Sequence, residues 1–87
     1  MIDYARMQKA GPRLKRQLTI AKNTADASLR FHRVKLACEI AVSEWEQVGA
    51  WPDNWSLWQR TLDDAASEHN RAAAGREWVI APRLEEL

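Results

Sequence analysis

Residues 45–62 read WEQVGAWPDNWSLWQRTL, and the organisation of the chain follows from them. Gly49 suits the left-handed position that ends a helix, because it has no Cβ to clash there. Pro52 disfavours a helical conformation at Trp51, so Ala50-Trp51-Pro52 reads as a tight connector. Asp53 or Asn54 then caps a new helix. Trp55 and Trp58, three residues apart, share a face of it, and Trp45 lies one turn before the end of the preceding helix. Short loops make neighbouring helices antiparallel. The stretch therefore predicts a helical hairpin with its tryptophans gathered at the turn.

Working outward, the helix before the turn is expected from about Ala27 to Val48, a rod of roughly 30 Å at ~1.5 Å per residue. Val34, Ala37, Ala41, Trp45 and Val48 form its inner stripe, and Leu36 and Ile40 are expected to widen it. The helix after the turn is expected over about 54–74, with Trp55, Trp58, Leu62, Ala65, Ala66, His69 and Ala73 facing inward and Gly75 ending it. The tail, 76–87, contains Glu77-Trp78-Val79-Ile80, which reads as a short extended segment. Pro82 is expected to stop further regular structure.

Upstream, Asp3 caps a first helix to about Lys22, with a break expected at Gly11-Pro12 and a restart at Pro12. Leu14, Leu18, Ala21 and Ala25 are predicted on its inner face. Asn23, Thr24 and Asp26 supply the turn and the next cap. The fold class is all-α: a small three-helix arrangement, 1–87, dominated by the long hairpin. A single helix pair without the signature residues does not support a tetratricopeptide reading.

The composition agrees. The 87 residues are 46% hydrophobic and 29% charged, which is globular rather than disordered. Cys38 is the only cysteine, so neither an internal disulfide nor a cysteine metal site is available. No apolar leader or membrane-length run is present, and a lone thiol in a helix suits a reducing compartment, so the expected location is cytoplasmic. The net charge of +1 conceals an asymmetry: residues 1–35 hold nine Lys or Arg against two Asp, and residues 36–87 hold four Arg against ten Asp or Glu. In the second helix Arg30, Arg33 and Lys35 precede Glu39, Glu44 and Glu46, which opposes its macrodipole. Pairing with Asp63, Asp64 and Glu68 of the third helix would offset that. So would a charged partner or head-to-tail self-association.

Catalytic constellations are nearly absent. His32 and His69 lie on different helices. Asp64 and Glu68 share a face that His69 misses by one residue. Cys38 has no patterned histidine, and no zinc, phosphate-loop or nucleophile-elbow motif occurs. No enzyme, cofactor or metal is expected. Two features point to a partner. Trp51 sits in a loop, where an indole either staples the turn or contacts a partner. Arg13, Lys15, Arg16, Arg30, Arg33 and Lys35 form a basic set that either is solvated, pairs with the acidic half, or binds phosphate backbones. A helix-turn-helix reading is disfavoured, because Asp63, Asp64 and Glu68 would face phosphates and the connector is long.

The run from Glu44-Trp45 through Gly49-Ala50-Trp51-Pro52-Asp53-Asn54-Trp55-Ser56-Leu57-Trp58-Gln59-Arg60 to Leu62-Asp63-Asp64-Ala65 resembles small proteins of actinobacterial phages and mobile elements with a tryptophan-rich helical hairpin. An Asp-Tyr near the start and a Pro early in the first helix extend the likeness. Leu29–Val34 departs from the pattern and implies a longer second helix. No functional residue carries over. The resemblance implies a non-enzymatic interaction module that binds a host protein or defence complex, as an inhibitor of a CRISPR effector would, inside the bacterial host. In that reading the basic set and Trp51 carry the contact, or the acidic half occupies a nucleic-acid-binding groove of the target in competition with DNA or RNA. The alternatives are a small nucleic-acid-binding regulator using the basic set, and a self-associating structural protein.

Overall fold

The structure is a computed structural model that describes residues 1–87. It contains helices α1 (Tyr4–Lys22), α2 (Ala27–Val48) and α3 (Trp55–Ala72), followed by a short 3-10 turn, Leu84–Glu86. There are no strands. Helix α2 is central, with α1 packed along one side and α3 along the other. The molecule is accordingly long and flat, 46 × 23 × 16 Å. No helix is long and apolar enough to cross a membrane.

The helix starts obey local chemistry. Asp3 Oδ1 accepts from the Arg6 N–H at 3.0 Å, and Asp26 Oδ1 accepts from the Leu29 N–H at 2.8 Å. Asn54 precedes α3 without a side-chain capping bond. At the other end of α2, Gly49 adopts φ +90°. A Cβ there would lie 3.2 Å from the Met1 carbonyl oxygen, because the N-terminal arm crosses the turn. That arm is tied down by the Asp3 N–H, which donates to the Val48 carbonyl at 2.9 Å.

The expected break at Gly11-Pro12 does not occur: α1 runs unbroken through Pro12. A proline ring clashes with the Cβ of the residue before it, and Gly11 has none. Both residues are exposed, so the carbonyl left without a donor one turn earlier can meet water. Ala25, expected on the inner face, is exposed in the connector beyond the end of α1. Pro82 does not end regular structure, since the 3-10 turn forms just after it.

The predicted stripe of α2 is buried throughout, but its widening lies on the opposite side from that expected. Leu36 and Ile40 are 55% and 42% exposed, whereas Phe31, Cys38 and Val42 are buried. Helices α1 and α3 pack on α2 without surrounding it. The sector holding Leu36 and Ile40 is only edged by Gln17, Ile20 and Ala21 of α1 and is otherwise open, and α3 covers the sector holding Phe31, Cys38 and Val42.

Candidate functional site

At the turn, the indoles form a chain. Trp45 lies 5.3 Å from Trp51 and 5.3 Å from Trp58, the latter edge-on at 89°, and Trp51 lies 5.5 Å from Trp55. Trp45 and Trp58 are buried, and Trp51 and Trp55 are half-buried against the core. Trp51 thus spends one face of its ring stapling the connector.

Beside this cluster a groove of about 420 Å³ opens between α1 and α3. Its floor comes from Leu14 and Leu18 of α1, Trp45 and Val48 of α2, and Trp58 of α3, with exposed Leu57 at its edge. The α1 lip carries Lys15 and Lys22; Thr61 of α3 and Asn54, just before that helix, line the opposite lip. Seven residues apart, Lys15 and Lys22 project two turns from each other along the same lip, at about 10.5 Å by helical rise. The two flanking helices barely meet, and the groove is the space left between them above α2.

The basic set is dispersed rather than gathered. Lys15 lines the groove. Arg16 is exposed on α1. Arg13 is on the other side of α1, 4.0 Å from Glu44. Arg33 donates to Thr24 Oγ1 at 3.3 Å, and Lys35 is half-buried at the edge of α2. Arg30 pairs with Glu68 at 3.1 Å, the internal pairing anticipated between the start of α2 and the end of α3. Asp63 is engaged differently: its Oδ1 accepts from Gln59 Nε2 at 3.0 Å. At the far end of α2, Arg6 donates to Glu44 through Nε at 2.7 Å and to Gln47 at 2.6 Å. That hydrogen bond holds the Glu44 carboxyl below its usual range.

Polar side chains of α3 hold the tail, and of these only His69 lies on the inner stripe that periodicity predicts. The amide of Asn70 donates to the Val79 carbonyl at 2.8 Å and accepts from the Val79 N–H at 2.7 Å, as a paired strand would. Gln59, buried, donates to the Pro82 carbonyl at 3.1 Å and accepts from the Leu84 N–H at 2.8 Å. His69 donates from Nε2 to the Glu77 carbonyl at 3.0 Å. The extended segment forms as expected, with Val79 and Ala81 turned toward the core and Trp78 and Ile80 outward. His69, a polar residue on the predicted inner stripe, was the available signal that something polar docks there; Gln59 carried none.

Cys38 is buried, and its thiol donates to the Trp58 carbonyl at 3.9 Å. Burial, with a smaller contribution from Glu39, pushes the thiol up to about 12. Native protein is therefore expected to resist a thiol-reactive disulfide reagent at neutral pH and to react fully once unfolded in urea. Rapid labelling of the folded chain, read by absorbance, would contradict this burial. His32 and His69 stack edge-on at 6.2 Å, and no group of three or more His, Cys, Asp or Glu side chains is placed to hold a metal ion. No family model, no curated protein and no solved structure matches this chain.

Proposed function

We propose that the chain is a non-enzymatic interaction module whose α1–α3 groove receives an amphipathic helix of a partner protein, with acidic residues flanking the apolar row of that helix. The observation that carries the reading is the groove itself: an aliphatic and tryptophan floor beside a lip bearing Lys15 and Lys22. Helix-in-groove recognition uses an apolar row at i, i+3/4 and i+7 seated on such a floor. Two carboxylates seven residues apart on the incoming helix would match the spacing of the two lysines. Buried tryptophans give the floor the rigid, large-area contact typical of binding hot spots. The resemblance to small phage and mobile-element proteins favours a host protein, or a defence complex, as the owner of that helix, with the module acting as its inhibitor in the host cytoplasm.

The test uses labelled synthetic peptides of about four helical turns, the groove's length at ~1.5 Å per residue. One carries a leucine row flanked by Glu, the other the same row flanked by Lys. The Glu peptide is expected to bind roughly tenfold more tightly, about 1.4 kcal/mol from two exposed ion pairs. The variant Lys15→Glu/Lys22→Glu is expected to invert the preference. Equal binding of the two peptides, or none of either, overturns the groove reading. In parallel, nuclease-treated host lysate passed over wild type and variant should yield a protein retained stoichiometrically by the first and lost by the second. Retention of DNA or RNA alone, with affinity falling steeply as salt rises, would instead make the chain a nucleic-acid binder.

A further inference from the structure

The uncovered face of α2 presents Leu29, Leu36 and Ile40, spaced seven and four residues apart and hence aligned on one side. Ile20 of α1, 62% exposed, stands beside them. Ile20, Leu36 and Ile40 border a shallow depression of about 260 Å³. Clustered aliphatic side chains left in water in this way mark an interaction surface. This face lies on the opposite side of α1 from Lys15 and Lys22, so its occupancy leaves the groove open.

The charges along α2 indicate what covers it. The first half of the helix is basic and the second half acidic, with no basic residue in its last turn and no acid in its first. Internal ion pairs use Arg30 and Glu44. Lys35, Glu39 and Glu46 make no ion pair within the chain, and Arg33 meets only a threonine hydroxyl. A helix whose charge order reverses along its length is complementary to itself run backwards. That is the condition a two-fold, isologous contact imposes.

We propose that a second copy of this chain packs on this face, α2 antiparallel to α2, about a two-fold axis passing near residues 37–38. In that register Leu36 of one copy lies within one residue of level with Ile40 of the other, and Lys35 within one residue of level with Glu39, each contact occurring twice. The basic start of each helix adjoins the acidic end of its mate, and the two macrodipoles run in opposed directions. A parallel pairing would set like charges together. The contact is essentially one helix face per copy, so it belongs to the small, transient class of interfaces, with dissociation in the micromolar range.

Sedimentation velocity from about 1 to about 500 μM tests this, since the window brackets a micromolar equilibrium. Wild type is expected to pass from monomer to dimer. Leu36→Glu and Ile40→Glu, both at exposed positions, should remain monomeric with unchanged helical circular dichroism. Lys35→Glu and Glu39→Lys should each weaken association, and the double variant K35E/E39K should recover it, because the swap regenerates both pairs only in the antiparallel register. A monomeric wild type throughout, or a dimer indifferent to Leu36→Glu, overturns the proposal. A double variant no better than the single ones overturns the antiparallel pairing. Peptide binding in the groove is read separately, so failure here does not affect that reading.

Discussion

Replacing Trp45 with alanine is expected to destabilise the protein by about 3–5 kcal/mol, the cost typical of emptying a buried tryptophan site. Trp45 is the indole that links the others: it touches Trp51 on one side and Trp58 on the other, and it belongs to the floor of the groove. Its loss deletes core volume and also removes the surface against which Trp51 staples the connector. A chain of this size has a total stability of about 4–13 kcal/mol, at ~0.05–0.15 kcal/mol per residue. The substitution thus takes a large fraction of the total. Urea denaturation followed by far-UV circular dichroism should show the midpoint falling sharply, and the near-UV signal of the packed indoles should largely disappear. Trp78→Ala is the internal comparison. Trp78 is exposed on the outer side of the tail, and its removal should change stability by no more than about 0.5 kcal/mol. If the two substitutions cost the same, the indole chain is not what holds the turn.

Leu84→Ala is expected to cost about 2–4 kcal/mol, despite lying three residues from the last residue of the sequence. Termini are ordinarily the least ordered parts of a domain unless tied down. Here Leu84 is fully buried, and its N–H is received by Gln59, itself buried on α3. Gln59→Leu leaves that N–H and the Pro82 carbonyl without partners, which costs about 1–3 kcal/mol. Both changes release the same strap, so the double variant should cost less than the two single losses added together. Urea titration of the four species measures the coupling. Limited trypsin digestion gives a second readout, because Arg76 and Arg83 flank the strap and should be cut faster in both variants. Unchanged digestion and a loss below about 0.5 kcal/mol, the range of ordinary surface substitutions, would mean that the tail contributes nothing to the fold.

Helix positions were legible because their signals are local. Asp3 and Asp26 cap as their types require, Gly49 takes the left-handed conformation that ends α2, and Trp51-Pro52 breaks the helix where sterics demand. Where a local signal was misread, a neighbouring residue explains it. Pro12 does not break α1, because Gly11 lacks the Cβ that adds to the clash between a proline and the helix behind it, and the carbonyl left without a donor lies on the exposed side.

The candidate surfaces were less legible, because they depend on placement. Six basic residues concentrated in the first part of the chain read as one set, yet the packed helices send Lys15 to the groove, Arg13 to Glu44 and Arg30 to Glu68. Nothing in the spacing of Gln59, His69 and Asn70 indicated that all three would hold backbone atoms of a segment eight to twenty-five residues later. The groove has no signature of its own, since it is the space left when α1 and α3 both pack on α2 and not on each other.

By itself, then, the sequence determined the three helices, their connectors, the inner stripe from Val34 to Val48 and the meeting of tryptophans at the turn, since caps, proline sterics and helical period act over a few residues. Tertiary structure alone decided which flank of that stripe is covered. Leu36 and Ile40 are as apolar as Phe31 and Val42, and periodicity could not separate them. The separation came from where α3 lies, a property of contacts between residues far apart in the chain, which buries one pair and leaves the other in water.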